Sequence, residues 1–259
     1  MVSAMAVNKP GSAGSLMGQP HPLDNSVYAA LTGPHAHLAL RRGNALRYPS
    51  DVSPFMALPD SPDDTDWADI GALAGPGGDV ALTGRTVEPP DGWKVVRRDA
   101  VLQLIGDRIV AAPDAEAVRL TEADVPDMLA LAGRTKPGPF LPRTIELGTY
   151  LGIRHGGRLV AMAGERLRPP GWTEISGVCT DADRRGQGLG TRLVLAVAAG
   201  IRERGETPFL HVVAYNTNAL RLYESLGFRL HRTATLVLTR PPGEWGSSGR
   251  RRSLGRTAP

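Results

Sequence analysis

The strongest chemical signal in the chain is Asp181-Ala182-Asp183-Arg184-Arg185-Gly186-Gln187-Gly188-Leu189-Gly190-Thr191. Leu189, Leu193, Val194, Val197, Ala198 and Ile201 then recur at helical spacing, and Gly205 stops the run. Glycines let a backbone turn tightly and bring its N–H groups close to a ligand. The start of a helix adds unpaired N–H donors and the positive end of a dipole. A glycine-rich loop entering a helix therefore binds phosphate or pyrophosphate. Two familiar phosphate loops fit this segment poorly. A P-loop needs Lys followed by Ser or Thr after its last glycine, whereas Gly190 is followed by Thr191-Arg192. A dinucleotide turn needs G-x-G-x-x-G straight after a parallel strand, whereas Gly186, Gly188 and Gly190 alternate and follow the run Asp181 to Arg185.

The elements around the loop can be read outwards from it. Thr149 to Arg154 and Arg158 to Arg166 are two strands joined by a hairpin turn at His155-Gly156-Gly157, and Pro169-Pro170-Gly171 turns into a third strand, Trp172 to Thr180. A helix runs from Val125 to Leu131, with Thr121 and Asp124 as N-caps. After the loop and its helix, His211 to Val213 is a strand. Asn216-Thr217-Asn218-Ala219-Leu220-Arg221-Leu222-Tyr223-Glu224-Ser225-Leu226-Gly227-Phe228 then holds a helix over 218–226, with Asn216 as a candidate N-cap and Gly227 closing it. Upstream, Ala36 to Leu40, Ala45 to Tyr48, Asp79 to Leu82 and Val101 to Ile105 have strand length, and Trp67 to Leu73 reads as a helix.

The loop spacing resembles the acetyl-CoA motif of the GNAT superfamily of N-acetyltransferases, [Gln/Arg]-x-x-G-x-[Gly/Ala], with Arg185, Gly188 and Gly190 at its defined positions. The run from Asn216 to Phe228 resembles the family's second signature, and the likeness, over roughly residues 113–240, is closest to the FR47-like branch. The resemblance implies a mixed α/β (α+β) sheet whose fourth and fifth strands splay apart, with the pantetheine arm of acetyl-CoA in the gap. It implies that Arg185, Gly186, Gln187, Gly188, Leu189, Gly190 and Thr191 hold the pyrophosphate. It also implies that Val178, Cys179 and Thr180 pair their backbone with the pantetheine, and that Asn216 lies near the pantetheine amide. Tyr223 matches the family's usual general acid. Glu174, eleven residues before Arg185, has the spacing of a catalytic base, and Glu165 on the preceding strand is its rival. Against these stand plainer readings: a packed helix Tyr, a packed strand Cys, and strand-end carboxylates. Tandem members of the family suggest a degenerate second copy over 20–112, beside the simpler reading of an α+β layer.

Composition narrows the function. Residues 241–259 hold Arg250, Arg251, Arg252 and Arg256 against Glu244, and without them 26 basic groups face 25 acidic ones. The fold is thus nearly neutral and lacks the basic face that a nucleic-acid partner requires. His155 reads as a solvated turn residue and His211 as packed. His21, His35, His37 and His231 show no metal-ligand spacing with carboxylates. The single cysteine excludes a disulfide within the chain and a Cys-based zinc site. No apolar run reaches membrane-spanning length, and residues 1–20 lack the blocks of a signal peptide. These features, with arginine far outnumbering lysine, lead to the expectation of a cytoplasmic bacterial protein. The expected layout is a disordered tail at 1–19, an α+β region at 20–112, a catalytic domain at 113–241 and an Arg-rich disordered tail at 242–259. The function expected is transfer of an acetyl group to a small-molecule amine, an amino acid or a protein amine. The alternative is an acyl-CoA sensor without turnover.

Overall fold

The computed structural model describes residues 21–84 and 87–243. The expected tails lie outside them, apart from residues 242 and 243. The loop and its flanking strands belong to an eight-stranded mixed sheet. Its strands are β4 (Val80–Gly84), β5 (Lys94–Ile105), β6 (Val118–Arg119), β7 (Tyr150–His155), β8 (Arg158–Glu165), β9 (Trp172–Thr180), β10 (Thr207–Val213) and β11 (Arg229–Arg240). Their order across the sheet is β4-β11-β5-β10-β9-β8-β7-β6. The hairpin expected at 155–157 joins β7 to β8, which pair antiparallel from His155↔Arg158 to Tyr150↔Gly164.

Three helices of the downstream elements flank the sheet. On one face α4 (Leu189–Glu203) buries Leu193, Val194, Val197, Ala198 and Ile201 against Ile153, Val160, Ile175, Leu210 and Val212. That is the apolar stripe read from the sequence. Helix α5 (Thr217–Ser225) adds Ala219, Leu220 and Tyr223 to the same cluster. On the opposite face α3 (Val125–Thr135) packs Met128 and Leu131 on Tyr150, Met162 and Cys179. Its entry carries the expected caps as a capping box between Thr121 and Asp124.

The N-terminal region does not stand apart. Residues 21–74 give α1 (Ser26–Leu31), a small antiparallel sheet of β1 (Leu40–Arg42), β2 (Ala45–Arg47) and β3 (Met56–Ala57), and α2 (Asp64–Ala74). The strand expected from Ala36 begins instead with a 3-10 turn over Ala36–Leu38. The chain then enters the main sheet. Strand β5 lies between β10 and β11, pairing Val101 to Ile105 with Val213 to Phe209 and most of its length with β11. Strands β4 and β5 thus extend the sheet of the downstream elements, beside the small sheet of β1 to β3. Leu23, Val27, Leu31, Tyr48, Val52 and Phe55 form a further apolar layer over Ile105, Leu147, Leu167 and Phe209.

Candidate active site

The sheet opens between β9 and β10. These parallel neighbours pair Thr207↔Trp172, Pro208↔Thr173 and Phe209↔Glu174, and their register ends there. Both strands continue, to Thr180 and Val213, so a wedge widens from a vertex at Glu174 and Phe209. A bulge bends β9 away: Met162 pairs with Cys179 and Gly164 with Ser176, leaving Gly177 and Val178 opposite Ala163 alone. Gly177 takes φ +65°, in the left-handed region that glycine tolerates, and a Cβ there would lie 3.2 Å from the Tyr150 ring. Val178 and Thr180 are half-buried along the wedge side of β9. The Cys179 side chain is buried in the α3 core, and burial pushes its thiol up to about 11. A thiol in that state is a packed residue and a poor nucleophile.

The glycine loop sits at the wide end of the wedge. Gly186 and Gly188 have φ +76° and +73°, and space is open beyond both Cα atoms. Gly188 caps α4 with no side-chain hydrogen bond, and no acidic residue lies in the first turn. The bond from Arg192 N–H to Gly188 O at 3.0 Å opens the helical ladder, so the N–H groups of Leu189, Gly190 and Thr191 precede it. Arg185 turns back, its Nε 3.4 Å from Thr180 O. Two ion pairs brace the loop. Arg134 on α3 grips Asp181 at 2.9 and 3.0 Å. Arg192 grips Asp114 at 2.6 and 2.8 Å. An anionic pyrophosphate fits this cradle of open glycine backbone, free N–H groups and helix dipole.

Tyr223 lies on α5 with its ring edge-on to Phe228, centroids 5.8 Å apart. Burial raises its phenol to about 12, so it stays protonated at neutral pH. Asn216 caps α5, its side chain accepting from Ala219 N–H at 3.2 Å.

The two carboxylates differ in place. Glu174, at the vertex, is fully buried. Arg166 holds it with two bonds, Nε to Oε2 at 2.8 Å and Nη2 to Oε1 at 2.6 Å, and His211 Nδ1 lies 2.7 Å from Oε1. Burial opposes the charge on Glu174. The Arg166 guanidinium outweighs that effect, with help from His211, and draws the carboxyl down to about 2. Arg166 itself lies over the Phe55 ring, 5.0 Å from its centroid. Glu165, also buried, is the last residue of β8, pairs with Ile175 and is tied down by other partners. Its Oε1 accepts from Arg204 at 2.9 Å and its Oε2 from Thr149 N–H at 3.3 Å. The bonds of Arg166 and His211 to Glu174 were not visible in the sequence. Alternation could have suggested the second, since Glu174 pairs with Phe209 and His211 is two residues further along the same side of β10.

A sheet splayed beside a glycine loop that starts a helix defines the acyl-CoA N-acyltransferase class. The model of FR47-like proteins matches residues 150–237. A solved structure from Novosphingobium aromaticivorans, assigned to the GNAT acetyltransferases, is 42% identical and superposes with a TM-score of 0.79, covering 86% of this chain and 99% of that one. The GCN5-related N-acetyltransferase of Kribbella flavida shares the fold at 20% identity and a TM-score of 0.56, covering 85% of this chain and 96% of that one. A mycothiol acetyltransferase of Thermobispora bispora is 44% identical over 82 residues, 31% of this chain and 27% of that protein. The chain spans about a third or less of the length of the curated mycothiol acetyltransferases it matches. It belongs to the GNAT family.

Proposed function

We propose that this protein transfers an acetyl group from acetyl-CoA to a primary amine by direct attack within a ternary complex. The observation that carries the proposal is the parting of β9 and β10 at Glu174 and Phe209, with the glycine loop at the wide end of the wedge. The pyrophosphate would rest on the N–H groups of Arg185 to Thr191, and the pantetheine arm would run along Val178, Cys179 and Thr180 past Asn216. The thioester carbonyl would then lie near the vertex, with backbone N–H groups of β9 stabilising the oxyanion.

In this reaction the acceptor arrives as an ammonium and loses a proton to Glu174, directly or through a water. The neutral nitrogen attacks the carbonyl carbon, the C–S bond breaks and Tyr223 supplies a proton to the departing thiolate. The nitrogen's second proton passes to the Tyr223 phenolate, directly or through a water, leaving the neutral amide. Glu174 is assigned as base over Glu165 because it stands at the vertex, where β9 and β10 part. The acceptor class is a primary amine on a small molecule, an amino acid or a protein.

The second reading, an acyl-CoA sensor, has one observation in its favour: the vertex carboxylate is fully covered and already paired with Arg166. A thiol-release screen separates the two. Acetyl-CoA and longer acyl-CoAs would be offered with putrescine, alanine, kanamycin and a peptide beginning with alanine. Amine-dependent thiol release supports the transferase. Saturable binding of acetyl-CoA with no release on any amine selects the sensor.

A further inference from the structure

We propose that His211 is a positioning residue for Glu174, fixed as the Nδ1–H tautomer by Gln103, and that it leaves Oε2 as the oxygen that takes the acceptor's proton. The inference rests on the reading of Glu174 as the base. It starts from Gln103 on β5, a residue only 2% exposed. Its amide nitrogen lies 3.1 Å from the carbonyl oxygen of Leu23 and 3.0 Å from His211 Nε2. A carbonyl only accepts, so the side facing Leu23 must be the NH2 group. The second N–H of that group then points at His211 Nε2, which must offer a lone pair. The ring proton therefore sits on Nδ1, 2.7 Å from Glu174 Oε1.

The consequence for Glu174 follows from counting lone pairs. An ionised carboxylate has about four acceptor sites, two on each oxygen. Oε1 receives Arg166 Nη2 and His211 Nδ1–H, and both its sites are filled. Oε2 receives only Arg166 Nε and keeps one site free. Two donors on Oε1 and one on Oε2 also stop the carboxylate from rotating. The other titratable side chains that feel Glu174 are Tyr48, after β2, and Tyr150, on β7. The tautomer is thus set by Leu23, a residue of the N-terminal layer, acting through β5 and β10 on a group of β9.

The test uses the full chain. Nitrogen-15 spectra of the imidazole should find His211 protonated at Nδ1 and bare at Nε2. Gln103→Met should abolish that single tautomer. His211→Ala should lower kcat by roughly ten- to a hundredfold, the size of a lost bond to a charged group. The assay is acetyl-CoA with whichever amine of the screen turns over fastest. KM for acetyl-CoA should stay unchanged, and the acid limb of the kcat profile should move to higher pH, because the carboxylate loses a donor to its charged form. His211→Asn, whose amide can donate from near the place of Nδ1, should restore most of the rate and return the acid limb. A ring protonated at Nε2 in the unmodified chain overturns the proposal, and so does His211→Ala with full kcat and an unmoved limb. The spectra of the unmodified chain and of Gln103→Met decide the matter should His211→Ala not fold. Glu174→Gln separates the two readings. Full kcat in that variant removes the base assignment, and this inference with it. An inactive Glu174→Gln beside a fully active His211→Ala removes this inference alone.

Discussion

Replacing Arg166 with Met should expose how the vertex is held together. The Arg166 side chain is 14% exposed and that of Glu174 is 0% exposed, so the substitution strands a buried carboxylate with His211 as its remaining side-chain donor. Breaking a buried pair by removing one partner costs about 3–5 kcal/mol. For a domain of this size each kcal/mol lowers Tm by about 2–4 °C, so the fall should be about 6–20 °C. The loss should depend on pH. In the parent chain the carboxyl is held near 2, below its reference value of 4.5. Its pairing therefore stabilises the fold above pH 4.5 and is lost as pH falls towards 2. In Arg166→Met, burial acts on Glu174 without the guanidinium and raises the carboxyl instead. Relative to the parent, that variant is least stable at neutral pH and recovers as the carboxyl protonates. The double variant Arg166→Met with Glu174→Leu should regain most of the Tm, since no lone charge stays inside. Thermal unfolding followed by circular dichroism at neutral and acid pH reads all three. A Tm gap for Arg166→Met that corresponds to less than about 1 kcal/mol, or that fails to narrow in acid, would refute the reasoning.

Gly188→Asp should abolish acetyl-CoA binding in calorimetry, because it puts a side chain and a negative charge on a φ of +73° at the cap of α4. Unchanged affinity in a folded variant would displace the pyrophosphate from this loop. Tyr223→Phe keeps the ring against Phe228 and removes the hydroxyl, so steady-state kinetics should give kcat lower by roughly 10²–10⁴-fold with acetyl-CoA affinity retained. Full kcat would leave Tyr223 as a packing residue. Phe209→Ala removes a wholly buried ring beneath the N-terminal layer and should cost about 3–5 kcal/mol in denaturant unfolding. A loss under about 1 kcal/mol would mean that this layer repacks freely.

What the sequence disclosed was local. The strand expected at Trp172 to Thr180 has those bounds. The helix read from the spacing of Leu189 to Ile201 runs over Leu189–Glu203, and Asn216 does cap its helix. In each case short-range periodicity or a cap residue carried the signal. Strand β5 was seen only from Val101, because its first half, Lys94 to Ala100, has mostly exposed side chains and is held by backbone pairing with β11. No alternation marks such a segment. Its partners lie more than a hundred residues downstream, and nothing local encodes that choice. The environment of Glu174 was hidden for a similar reason. Arg166 and His211 meet it from two different stretches of chain, Gln103 meets His211 from a third, and an isolated Glu in a strand reads the same whether it faces water or a guanidinium. The site was legible where its residues are neighbours in sequence, as in the glycine loop, and opaque where the sheet brings them together.

The place of β5 bears on how the molecule is assembled during synthesis. The strand leaves the ribosome well before β10 and β11, the neighbours on either side of it, exist: Ile105 pairs with both Phe209 and Arg229. Until then it carries two open ladder edges, and apolar Leu102, Leu104 and Ile105 await cover. Closing loops of this span before any contact rewards them makes for slow, late consolidation. The waiting strand's exposed first half holds Lys94, Arg97 and Arg98, charged side chains of the kind that discourage edge-to-edge pairing with another nascent chain. The downstream elements thus cannot complete the sheet by themselves: a polypeptide starting at residue 113 would reach its last strand with the slot beside β10 empty, and would need residues 94–105 supplied as a separate piece to fill it.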